Sequence, residues 1–263
     1  MFVVGELING MYKNVNRAIR EKDKSLIQRL ALEQIECGAD ALDVNCGPLS
    51  GDPKTDIQWL VQTIQEVSDS PLTLDSTKPE VIEEGLKVMK GKAIINSTTA
   101  DKEKLEILVS LALKYKASLI ALTMDKKGIP QNKDQRIELA VGILESCQRY
   151  GFSVEELYLD PVVLPVNVAQ QQQKEILEVI RDFRLLSSPS PKTIVGLSNV
   201  SQGAKYRSLI NRTFLVMAIS SGLDAAILDP KDKELMDLLI SSELILNRFI
   251  YCDSYIEVYK KKC

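Results

Sequence analysis

Histidine is absent from this 263-residue chain. That absence removes the commonest general base, the Ser-His and Cys-His nucleophile pairs, every histidine-containing zinc site and any imidazole ligand to haem or cobalt donated by the chain. Acid–base work falls instead to carboxylates, Lys, Tyr, amides or the substrate. An excess of positive charge is missing too: 33 Lys+Arg stand against 36 Asp+Glu, a formal charge of −3. This excludes a generic polyanion binder, so no nucleic acid partner is expected. The five cysteines, Cys37, Cys46, Cys147, Cys252 and Cys263, form neither a C-x-x-C pair nor an even framework. Reduced thiols in a cytoplasmic protein are expected. The N-terminal stretch reaches a carboxylate at Glu6 before any long apolar run, so no signal peptide is expected. No apolar run approaches the roughly 18 residues that span a bilayer, and no membrane partner is expected. Nor does any strand lead into Gly-x-Gly-x-x-Gly, which argues against a doubly wound dinucleotide-binding sheet. The nearest approach to a phosphate loop, Gly85 to Gly91-Lys92, has the wrong spacing, continues with Ala93 and precedes a strand.

What is present is a composition 45% hydrophobic and 26% charged, that of an ordinary globular protein with a sizeable core. Short β-branched runs alternate with amphipathic ones and no linker interrupts them, so 1–263 reads as a single domain. Strands are predicted over 2–9, 41–46, 72–77, 92–98, 118–124, 157–163, 192–199 and 225–230. Helical periodicity covers roughly 23–37, 54–68, 79–90, 101–116, 133–150, 168–187, 206–222 and 231–248. Asp101, Ser153 with Glu156, and Pro79 supply helix-start signals. Eight βα units in this length predict a single (β/α)8 TIM barrel, α/β in class, with its site at the C-terminal ends of the strands.

Those ends carry Glu6, Asn9, Asp43, Asn45, Asp75, Ser76, Asn96, Ser97, Thr123, Asp160, Ser198, Asn199 and Asp229. The polar positions recur about every 31 residues, close to one βα unit. Any one of them serves equally well as a turn former or helix cap. Asp75, Asn96 and Asp160, however, sit inside apolar segments, where an unpaired polar group is costly. A convergent polar pocket is therefore expected. Carboxylates and amides without histidine suit a flat heterocycle with an amidine-like edge: Asp offers two acceptors to adjacent N–H groups, and Asn one donor and one acceptor. A pterin has such an edge, and Asp75, Asn96 and Asp160 form a sensible set for reading it.

A set of motifs in order carries a resemblance. They are Gly5-Glu6-x-Ile8-Asn9-Gly10, Leu74-Asp75-Ser76-Thr77, Ile95-Asn96-Ser97-Thr98, and Leu122-Thr123-Met124 with Gly128-Ile129-Pro130. Asp160-Pro161 with Leu164-Pro165 and Asn167-Val168-Ala169, then Gly196 through Gln202, Asn211 through Leu215, and Tyr251-Cys252-Asp253-Ser254 complete the series. The whole chain resembles the methyltetrahydrofolate corrinoid/iron–sulfur protein methyltransferases, within the pterin-binding barrel superfamily. It is less similar to dihydropteroate synthases, whose strand one reads Asn-x-Thr-x-Asp-Ser-Phe where Glu6 to Tyr12 stands here.

The resemblance implies transfer of the N5 methyl of 5-methyltetrahydrofolate to cob(I)alamin carried by a corrinoid/iron–sulfur protein. No cofactor held tightly by this chain and no metal site are implied, and members are typically homodimers. Asp75, Asn96 and Asp160 would bind the pterin, Gly196 and Ser198 would line it, and Gln202 and Arg207 would meet the aminobenzoyl-glutamate side. Asn199 is the implied catalytic residue: its amide would accept a hydrogen bond from protonated N5 and stabilise that charge as the transition state forms. The proton would come from water or an extended network. Two alternatives stand beside this reading, a methyltransferase serving a different corrinoid protein and a folate-binding subunit without activity. Cys46 reads as a structural thiol, Glu6 and Asp43 as supports for other polar groups, and Arg207 as a ligand contact or the partner of a helix carboxylate. Lys192 should point away from the site, the 168–187 helix should be solvated, Asp229 to Glu234 should be a solvated helix start and Lys260–Lys262 a frayed end.

Overall fold

Eight parallel strands close on themselves in the computed structural model, which describes residues 1–252. Asp253 and Ser254 of the last motif, Lys260–Lys262 and Cys263 lie outside the described residues. The strands are β1 (Phe2–Asn9), β2 (Ala41–Asn45), β3 (Leu72–Asp75), β4 (Ala93–Thr99), β5 (Ser118–Leu122), β6 (Leu157–Asp160), β7 (Lys192–Gly196) and β8 (Ala225–Leu228). Each pairs with its sequence neighbours, and β1 closes on β8 through Phe2 opposite Ala225 to Gly5 opposite Leu228. The fold is the (β/α)8 barrel expected from the sequence.

Successive strand residues face opposite ways. Leu42, Leu72, Leu74, Ile95, Leu119, Leu157, Leu159 and Val195 belong to the large core shared with the helices. Val4, Ala41, Ile94, Ile120, Tyr158, Ile194 and Ala225 form a second cluster inside the barrel. Burial on both faces explains why the strands read as nearly continuous apolar runs. One inward step further along, the lining changes character: two residues beyond Val4, Ala41, Ile94, Tyr158 and Ile194 stand Glu6, Asp43, Asn96, Asp160 and Gly196. The apolar plug ends there and the polar mouth begins.

The outer layer comprises α1 (Lys13–Glu21), α2 (Lys24–Glu36), α3 (Pro53–Gln65), α4 (Pro79–Lys87), α5 (Lys102–Tyr115), α6 (Lys133–Arg149), α7 (Val166–Ala169), α8 (Gln172–Phe183), α9 (Arg207–Ser220) and α10 (Lys233–Ile245). Side chains of Asp23, Asp52, Asn132 and Asp232 accept backbone N–H bonds at the starts of α2, α3, α6 and α10, satisfying donors the helix cannot. Pro79 opens α4 as expected. Three expectations are corrected. Ser153 precedes only a three-residue 3-10 turn feeding β6, because the chain enters a strand at Leu157 before a helix can propagate. The 168–187 segment divides into α7 and α8, and Gln172 at the start of α8 is buried rather than solvated. Helix α1 was not expected: its buried Val15, Ala18 and Ile19 keep helical spacing, but over only nine residues that are otherwise polar or charged. Among the described residues no helix is long and apolar enough to cross a membrane.

Candidate functional site

The C-terminal mouth has an acid–amide wall over β2, β3 and β4. Asn45 Nδ2 donates to Asp75 Oδ2 at 2.6 Å, while Asn45 Oδ1 accepts from the Gly47 N–H at 2.6 Å. Asn96, directly opposite Asp75 in the β3–β4 pairing, donates from Nδ2 to Asp43 Oδ1 at 3.1 Å. The two strand-end amides thus hold the two carboxyl groups. Burial pushes the Asp43 carboxyl well above the usual carboxylate range, the charge of Asp75 pushes it further, and the Asn96 amide pulls it back. Burial likewise raises Asp75, opposed by the Asn45 bond and by the charge of Lys104. Lys104 is half-buried on α5, where burial lowers its ammonium and Asp101 and Asp75 raise it. It was missed in the sequence because a lysine in the first turns of an amphipathic helix reads as solvated.

Asp160 ends β6, two strands round the rim from Asn96, and is only 8% exposed. Burial lifts its carboxyl from 3.8 to about 7, against the lowering effect of its bond from Val162. That bond runs from the Val162 N–H to Asp160 Oδ1 at 2.7 Å. Val162 has φ +63°, a left-handed conformation that is strained for a β-branched residue. Thr123, buried on the neighbouring strand exit, donates both its N–H and its hydroxyl to the Asp160 carbonyl, at 2.9 and 3.0 Å.

Across the mouth, β7 runs into a 3-10 turn over Leu197–Ser201. Ser198 Oγ donates to Glu6 Oε1 at 2.7 Å. Burial raises the Glu6 carboxyl, the Ser198 bond opposes it, and Asp229 raises it again. Asn199 is exposed toward solvent. Its Nδ2 lies 2.8 Å from where a Cβ on Gly196 would stand, so a larger residue at 196 would displace the amide from this position. The Gln202 N–H donates to the Asn199 carbonyl at 3.2 Å, and its side chain is exposed. Arg207 pairs with no helix carboxylate among the described residues. Its Nε donates to Ser201 Oγ at 3.1 Å and Nη2 to the Ser198 carbonyl at 3.3 Å, so it braces the turn that carries Asn199.

A cavity of about 610 Å³ opens over Asn45, Cys46, Asp75 and Lys78, and one of about 360 Å³ over Glu6, Ser198, Arg207, Asn211 and Asp229. Cys46 is buried, its Sγ is 3.7 Å from the Pro53 carbonyl, and burial pushes the thiol up to about 12. Such a thiol is inert. Lys192 lies at the opposite end of the barrel, its Nζ 5.1 Å above the Tyr158 ring. Asp232 caps α10 and pairs with Arg212, so the Asp229–Glu234 segment is a helix start tied to α9. No group of three or more metal-binding side chains gathers among the described residues.

A family model described as pterin binding enzyme matches residues 13–229. The methylcorrinoid:tetrahydrofolate methyltransferase of Eubacterium limosum is 27% identical over 263 residues, spanning 99% of this chain and 97% of that protein. The methionine synthase of Mycobacterium tuberculosis is 26% identical over 240 residues, 86% of this chain but 20% of that protein, so the chain spans only a fifth of its length. Among solved structures, a Coxiella burnetii dihydropteroate synthase in complex with pteroic acid superposes with a TM-score of 0.69 at 14% identity, covering 93% of this chain and 92% of that one. Yersinia pestis dihydropteroate synthase gives 0.66 at 18% identity, covering 94% and 93%. At these identities the likeness is one of fold.

Proposed function

The chain belongs to the pterin binding enzyme family, and from that premise we propose that it is a methyltransferase moving the N5 methyl group of 5-methyltetrahydrofolate to the cobalt of a corrinoid on another protein. The observation that carries this reading is the C-terminal mouth: Asp75 and Asp160 end β3 and β6, Asn96 stands on β4 opposite Asp75, and an exposed Asn199 sits on the turn that follows β7. The names of the Eubacterium limosum relative, which joins methylcorrinoid and tetrahydrofolate, and of methionine synthase support it. We take the partner to be a corrinoid/iron–sulfur protein, the protein to work as a cytoplasmic homodimer, and 1–263 to be one pterin-binding domain, as the sequence resemblance implies.

Asp75 and Asp160 each offer an acceptor pair to the amino group and ring N–H of the pterin, and Asn96 offers both a donor and an acceptor. Burial has raised both carboxyl groups although each accepts one hydrogen bond, from Asn45 and from the Val162 N–H, so further donors favour their ionised forms. Ligand binding supplies the hydrogen bonds that favour ionisation. Asn199 acts at N5. Cob(I)alamin supplies the electron pair for the methyl–cobalt bond, the methyl–N5 bond breaks, and a proton on N5 lets tetrahydrofolate leave neutral. The Asn199 amide oxygen accepts a hydrogen bond from that protonated nitrogen and stabilises its charge. Gly196 and Ser198 line the pterin, while Gln202 and Arg207 shape the rim where the aminobenzoyl-glutamate tail leaves the barrel.

The test is anaerobic: protein is mixed with 5-methyltetrahydrofolate and reduced cob(I)alamin while the cobalt absorption spectrum is followed. Catalysed appearance of methylcobalamin is expected. Folate binding without transfer, to free cobalamin or to a corrinoid/iron–sulfur protein, would make the chain a binding subunit and overturn the enzymatic reading.

A further inference from the structure

Arg136 of α6 is fully buried, at 0% exposure, where a barrel helix ordinarily packs apolar side chains. It makes no ion pair among the described residues. Its guanidinium donates only to neutral acceptors: Nε to the Pro161 carbonyl at 2.9 Å, Nη1 to the Asn132 carbonyl at 3.3 Å and Nη2 to Gln172 Oε1 at 2.6 Å. Gln172 is fixed in turn by its Nε2 bond to Gln131 Oε1 at 3.1 Å, and the charge of Glu175 on α8 reaches the group from further away. A buried cation without a paired carboxylate is expensive, and an apolar side chain would pack the same space at lower cost. The arrangement needs a reason beyond packing.

The reason lies at Pro161. Its carbonyl and the Val162 N–H belong to one peptide group, which is rigid and planar. Arg136 holds the carbonyl end from the helical layer, and Asp160 Oδ1 accepts from the N–H end at 2.7 Å. Fixing one end of the plane fixes the other. A donor on the carbonyl also polarises the amide and strengthens the N–H bond. The same grip keeps Val162 at φ +63°, a conformation that a free peptide would leave by rotating, taking the N–H away from Asp160.

We propose that Arg136 is a positioning residue for substrate binding: through the Pro161–Val162 peptide it aims the Asp160 carboxyl group at the pterin. This rests on the reading of Asp160 as a pterin ligand. It deepens that reading by placing the origin of the geometry in the helical layer, outside the mouth.

The experiment compares wild type, Asp160→Ala, Arg136→Met, Arg136→Lys and the double variant Arg136→Met/Val162→Gly, measuring calorimetric affinity for 5-methyltetrahydrofolate and methyl-transfer turnover at saturating folate. Arg136→Met should weaken binding by about tenfold or more, the scale of a lost hydrogen bond to a charged group. Turnover at saturation should change less. Arg136→Lys, which retains a donor, should lose less than Arg136→Met. Glycine at 162 takes positive φ without steric cost, so the double variant should regain affinity that Arg136→Met has lost. A merely structural role for Arg136 predicts no such rescue at Val162, and its absence overturns the proposal. So does wild-type affinity in Arg136→Met, or, if that variant fails to fold, in Arg136→Lys. Asp160→Ala separates the two levels: if it binds like wild type, the reading of Asp160 falls and the inference with it. If it loses affinity while Arg136→Met does not, only the inference falls.

Discussion

Replacing Asp160 by Asn should stabilise the protein above neutral pH while destroying its affinity for the pterin. Burial moves the Asp160 carboxyl from 3.8 to about 7 in the folded state. The folded state therefore holds this proton more tightly than the unfolded chain. Its stabilising contribution is fully present below about pH 4, and it is lost as pH rises through about 7. At about 1.4 kcal/mol per pKa unit, ionisation at pH 8 costs about 4 kcal/mol. Asn keeps the oxygen that accepts from Val162 but carries no charge, so the variant escapes that cost. For a chain of this length the difference corresponds to roughly 10 °C in Tm. Thermal melts of both proteins between pH 4 and pH 8.5 should show curves that nearly coincide at the acid end and diverge through neutrality. Equal Tm values at pH 8, or a gap as large at pH 4 as at pH 8, would refute the assignment of a buried titrating carboxyl at this position.

Gly196→Ala places a methyl group 2.8 Å from Asn199 Nδ2, so stopped-flow methyl transfer should slow by up to about a hundredfold as the amide is displaced, while folate affinity changes far less; an unaltered rate would show that Asn199 needs no such room. Asn199→Ala should itself lose about a hundredfold in transfer rate, the scale of removing one charge-stabilising group, and an equal loss in folate affinity would reduce it to a binding residue. Cys46, buried with its thiol pushed up to about 12, should resist iodoacetamide at pH 8 in the folded protein and react once denatured; rapid native labelling in peptide mapping would contradict the burial.

Barrel and mouth were legible in the sequence for one shared reason. A strand buried on both faces has to be apolar, so a polar residue at its end stands out, and Asp75, Asn96 and Asp160 did so at the spacing of βα units. Strand β1 was bounded to the residue, because Gly10 and the polar stretch after it end the apolar run. What escaped was set by tertiary contact. Helical spacing puts Arg136 on the stripe of Ala140, Ile143, Leu144 and Cys147, which Arg149 of the same helix misses; but a lone arginine at the end of such a stripe reads as solvated, and only the arrival of the Pro161 carbonyl makes it a buried strut. Gln172 was hidden likewise, within a Gln- and Glu-rich run that reads as solvated. Ser153 and Glu156 carried a genuine capping pattern, but the next strand began too soon for the helix to follow. The pairings Asn45–Asp75, Asp43–Asn96 and Glu6–Ser198 join residues far apart in sequence, and barrel closure alone determines which carboxyl meets which amide.

Calorimetric titration with a bare pterin, 6-hydroxymethylpterin, tests most directly the claim that the acid–amide mouth recognises the pterin ring. The account predicts that it binds wild type, competes with 5-methyltetrahydrofolate, and loses affinity together with it in Asp160→Ala and Asn96→Ala. Binding of p-aminobenzoyl-glutamate with none of the bare pterin, or pterin binding untouched by both substitutions, would contradict it.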